Sequence, residues 1–87
     1  MNSVRTILED FMSVYLSYED YYQVGLVSKD GMRRGLDKLY TATEEKLIAA
    51  GLSRFWAKTK MAEAIGKKDM YKNLYLLNED IREGSYL

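Results

Sequence analysis

The chain has 87 residues, 47% hydrophobic and 30% charged, with 13 Lys and Arg set against 13 Asp and Glu. Such a length predicts a single domain over 1–87, near the lower limit for a self-sufficient core, and the zero net charge lacks the positive excess of a dedicated nucleic-acid coat. The absence of Cys, His and Pro excludes disulfides, thiolate metal sites, the commonest general base and ring-broken helices.

The first element is long. Val4, Leu8, Phe11, Tyr15, Tyr18 and Tyr22 recur at spacings of four and three, with Ile7, Val14 and Tyr21 on the neighbouring edge. That period predicts one amphipathic helix over about 3–27, with a break near Ser17 as an alternative because "SYED" has the form of a capping box. "SKDG" reads as its stop, with Gly31 free to turn left-handed. Met12, Leu16, Val24 and Val27 fall outside the main stripe, so this helix carries more apolar surface than one packing partner needs.

Shorter helices follow. "MRRGLDKLY" (32–40) predicts two turns weakened by Gly35, and "TATEEKLIAAG" (41–51) a separate helix capped by Thr41, with Glu44 reaching back and Gly51 as the stop. Ser53 can cap a helix over 54–65 that Gly66 ends. Asp69 can start a last helix to residue 82, with Met70, Leu74, Leu77 and Ile81 on one side. No segment sustains a two-residue alternation. The expected fold is all-α, a single compact bundle of five to six helices with a long N-terminal amphipathic helix.

The stretch "GLSRFWAKTK" (51–60) holds the sharpest chemistry. A helix, the Gly51 turn and a Ser-capped second helix have the outline of a helix-turn-helix, and residues 53–72 contain six cations against two anions. Residues 1–30 contain two cations and five anions. An anionic partner for the basic block would be met by Arg54, Lys58, Lys60, Lys67, Lys68 and Lys72. Two features oppose a DNA reader. Leu47 stands four before the glycine, where a small residue lets such helices approach, and Phe55–Trp56 crowd the front of the second helix. A Gly-stopped helix followed by a Ser-capped one is also ordinary bundle construction.

Ala57, Met61, Ala64 and Ile65 define the expected buried face of that helix, extended by Phe55 and Ala62. Trp56 falls off this face, beside Thr59, Lys60 and Glu63. It is either an exposed binding anchor or a first-turn residue folded back over Leu52. The eight tyrosines pose the same choice between core rim and interface.

Catalytic equipment is sparse. The pairs Glu9/Asp10, Glu19/Asp20 and Glu44/Glu45 are adjacent in sequence and diverge on a helix, while Glu79/Glu83 share a solvated face. No phosphate loop, EF-hand or zinc spacing is present, and no cofactor is implied. The composition therefore points away from an enzyme. It points towards a small helical binding protein of the cytoplasm (its own or a host's), a stoichiometric inhibitor or adaptor acting on a larger protein or nucleoprotein. Phage and mobile-element inhibitors of host machinery are one large source of such chains. Tyr18, Tyr22, Trp56, Lys60 and Tyr71 are the expected contacts, with a helix-turn-helix-like DNA-binding regulator over 43–72 as the alternative. No membrane span is expected, and the tyrosine stripe of the first helix suits a homodimer seam.

Overall fold

The computed structural model describes residues 3–71, and everything below refers to them. They form three helices, α1 (Val4–Gln23), α2 (Lys29–Ala49) and α3 (Arg54–Gly66), and no strand. A fourth helical segment begins at 68–71 and runs to the edge of the described residues. The all-α class stands, but the count of five to six helices does not. Most of the expected last helix (69–82) lies outside the described residues.

Three serines start the three helices. Ser3, Ser28 and Ser53 each sit in extended backbone and accept a hydrogen bond from the N–H three residues on: Thr6 at 3.1 Å, Gly31 at 3.0 Å and Trp56 at 3.2 Å. Each bond satisfies one of the amides a helix start leaves without a partner, a contribution of about 1 kcal/mol.

Two glycines stop the first two helices by a shared device. Gly25 (φ 79°) and Gly51 (φ 109°) adopt the left-handed conformation that a side chain disfavours. The following Leu amides then reach back over the last turn, Leu26 to the Tyr21 carbonyl at 2.8 Å and Leu52 to the Leu47 carbonyl at 3.1 Å. The glycine amides bond to Tyr22 and Ile48, which completes the pattern of a Schellman cap in both places. "SKDG" is therefore a helix start, and the stop of α1 stands a few residues earlier, in "QVGL".

Neither the alternative break at Ser17 nor the expected one at Thr41 is present. Ser17 does not interrupt α1: its hydroxyl donates to the Ser13 carbonyl at 2.9 Å, within the helix. Thr41 does not cap a new helix either, since its hydroxyl bonds back to the Asp37 carbonyl at 3.1 Å inside a continuous α2. The reason lies in the stripe. Leu36, Tyr40, Thr43 and Leu47 keep a spacing of four, three and four across the supposed junction, so packing against α1 favours one helix through it.

The core is centred on α1, which contacts both other helices. Ile7, Leu8, Phe11, Met12 and Leu16 are buried on it, with Leu47 from α2 and Ala57, Met61 and Ala64 from α3. Met12, expected outside the main stripe, is fully buried. The surplus apolar surface of α1 is thus largely explained by a central helix with two neighbours.

Candidate binding surface

The Ser53 cap fixes the first turn of α3, and with it the directions of Phe55 and Trp56. Ala57, Met61 and Ala64 face the core. At about 100° per residue, Phe55 lies some 200° from Ala57 and so points away from it. Phe55 is 70% exposed and Trp56 53% exposed. Their rings meet edge to face, with centroids 5.3 Å apart and planes at 75°. Phe55 and Ala62 were expected to extend the buried face; both stand on the outer one. Trp56 is the off-face residue its position implied.

The cations around this pair are mostly engaged. Arg54 Nη1 lies 2.8 Å from Glu44 Oε1, whose side chain is only 13% exposed, and Arg54 Nη2 lies 3.6 Å from Glu45. The pair ties the start of α3 to the end of α2. Lys60 meets Glu63 at 3.6 Å, and Lys68 reaches Glu19 of α1 at 3.5 Å. Lys58 and Lys67 are exposed without an ion pair among the described residues. Lys72 lies outside them.

The expected contact residues do not share one surface. Trp56 and Lys60 stand one turn apart on α3, and Tyr22 is exposed at the end of α1. Tyr18 is half-buried with its ring over Gly35 of α2, and Tyr71 packs against the core. The proposed dimer seam is also largely occupied from within the chain. Leu8 and Phe11 are buried and Val4 and Tyr15 pack on the core, which leaves Tyr22 as the outward member of that stripe.

The titrating groups with displaced values are tyrosines. Burial, and then the Glu19 charge, raise the pKa of Tyr15; burial, Tyr15, Asp37 and Glu19 raise that of Tyr40. Both hydroxyls therefore stay protonated at neutral pH. No group of three or more His, Cys, Asp or Glu among the described residues could hold a metal, and no described helix is long and apolar enough to cross a membrane.

One feature of α2 escaped sequence reasoning. Met32, Leu36 and Tyr40, each four apart and half-buried, floor a groove of about 280 Å³ bordered by Lys29, Asp30, Arg33 and Asp37. Its signal was the four-residue spacing of these three residues within "MRRGLDKLY". No protein-family model matches this chain, and no curated protein or solved structure is similar to it.

Proposed function

We propose that this chain is a non-catalytic helical binding protein, an inhibitor or adaptor acting stoichiometrically on a larger protein or nucleoprotein. The observation that carries this reading is the adjacent exposed pair Phe55–Trp56, held on a capped helix that is anchored to α2 through Arg54. Large rigid aromatics in a preformed position lose little entropy on docking, and Trp is enriched among residues that dominate binding energy.

The test is Trp56→Ala, with the partner recovered by the unaltered chain. Stability should change by less than about 0.5 kcal/mol, as for exposed positions generally. Affinity should fall about 30-fold, the equivalent of roughly 2 kcal/mol at an interface hot spot. A large drop in melting temperature, or an unchanged affinity, would sink the reading.

The DNA-binding alternative draws on the α2–Gly51–α3 turn and on exposed Lys58 and Lys67. It is disfavoured by Arg54, Lys60 and Lys68, each spent on a carboxylate of the same chain. Gel-shift titration with random duplexes at two salt concentrations separates the two readings. Binding that weakens steeply with salt would favour DNA.

A further inference from the structure

The outward face of α3 extends beyond its aromatic pair. At about 100° per residue, Thr59, Ala62 and Gly66 fall within about 40° of the direction of Phe55. Ala62 and Gly66 are exposed, and a Cβ at Gly66 would meet nothing within 4 Å. The Thr59 hydroxyl donates to the Phe55 carbonyl at 2.9 Å, so the strip leaves no donor unmet. From Phe55 to Gly66 it runs about 16.5 Å, three turns of helix.

Charge borders the strip on both sides. On the same wheel Lys58 stands at one edge, while Trp56, Glu63 and Lys67 follow the other. Lys60 neutralises Glu63 at 3.6 Å. Lys58 and Lys67 are exposed and make no ion pair among the described residues. The neighbouring carboxylates lie off this face. Glu44 and Glu45 belong to α2 and hold Arg54, about 100° round from Phe55, and Glu19 of α1 holds Lys68. Asp69, exposed just past the end of α3, offsets part of the charge at Lys67.

We propose that the outward face of α3 binds an amphipathic helix of a partner protein, one with an apolar stripe and acidic flanks. This rests on the reading of Phe55–Trp56 as the binding site. The low surface past Phe55 lets a second helix axis approach to about 8 Å, the short end of the packing range. Phe55 and Trp56 then close over one end of the apolar stripe. Flanking carboxylates reach Lys58 on one edge and Lys67 on the other, about 13.5 Å apart along the axis. Nucleic acid fits this face less well. Glu63 stands on it, and a firm hold on phosphates takes more than two cations.

Trp56 is the chain's one tryptophan, so its emission reads this site directly. The probes are a DNA duplex and two synthetic amphipathic helical peptides free of Trp. The peptides share a leucine stripe and carry either glutamate or lysine on its flanks. At low salt the glutamate peptide should shift the emission to the blue, with an affinity about ten-fold above that of the lysine peptide. Combining Lys58→Glu with Lys67→Glu should reverse that order, and both positions are exposed. No shift with the glutamate peptide, or equal affinities for the two, would overturn the proposal. A stronger response to the duplex would overturn it in favour of nucleic acid. Each of these results comes from the unaltered protein and needs no variant to fold. The binding role of Phe55–Trp56 is decided separately, by Trp56→Ala against the recovered partner. It stands if that affinity falls while the two peptides bind alike.

Discussion

The phenol ring of Tyr18 occupies the space into which a Cβ at position 35 would project, so the bare backbone of Gly35 forms its seat on α2. A glycine that weakens α2 in isolation is therefore part of the α1–α2 contact. Gly35→Ala gains about 1 kcal/mol in helix propensity, but overpacking costs typically about 1–3 kcal/mol. The expected result is a lower melting temperature by calorimetry. Combined with Tyr18→Ala, the alanine should lose less than the two single changes summed, because the clash has been removed. Gly66→Ala is the control: no neighbour crowds that position, and a gain of about 0.4–1 kcal/mol is expected.

Leu47 is fully buried and supplies the carbonyl that caps the end of α2. Leu47→Ala opens a cavity between α2 and the other helices and should cost about 2–5 kcal/mol. In so small a domain that is much of the total stability, so urea titration should show a markedly lower midpoint. A midpoint shift below that of a surface control would contradict this core.

Arg54 joins α3 to α2 through a carboxylate that is itself mostly covered, on Glu44, and through the exposed Glu45. Arg54→Met should destabilise by about 1 kcal/mol, because Glu44 is left with a poorly solvated charge. Glu45→Gln should change little, as exposed pairs contribute between about 0 and 1 kcal/mol. Thermal melts of both variants in low and high salt test the contrast.

Stability should hold up to about pH 10 and fall above it, since the ordinary tyrosine value is 10.0 and Tyr15 and Tyr40 are both raised in the folded state. The neutral hydroxyl is the form that folding favours. The stabilising effect is thus complete below the unfolded pKa and is lost as pH rises through the folded one. Tyr40→Phe should flatten part of the decline in melting temperature between neutral and strongly alkaline solution. An unchanged alkaline limb in that variant would assign the effect elsewhere.

Light scattering over a concentration series should return a mass of 10.1 kDa, because the α1 stripe once suited to a dimer seam is covered by α2 and α3. Tyr15→Glu should accordingly unfold the monomer, a charge being forced against Phe11, rather than split a dimer. A doubled mass would restore the seam, with exposed Tyr22 and Val14 as the first residues to substitute.

The sequence by itself determined the helical class, the start of α3 at Ser53 and the stop of α2 at Gly51. Those outcomes depend on local rules: a hydroxyl three residues before an orphan amide, a residue that tolerates positive φ, and a period near 3.6. The same rules mark Gly25 as a stop, overlooked because Gly31 lay in a more turn-like context. Only the tertiary structure decided that α2 runs unbroken past Gly35 and Thr41, since a weak local signal for a break yields to a stripe packed along its length on α1. It also decided which aromatics face water. Phe55 and Tyr18 are both large and apolar enough for either fate, and the orientation of their helices about the core turned one outward and seated the other on a glycine.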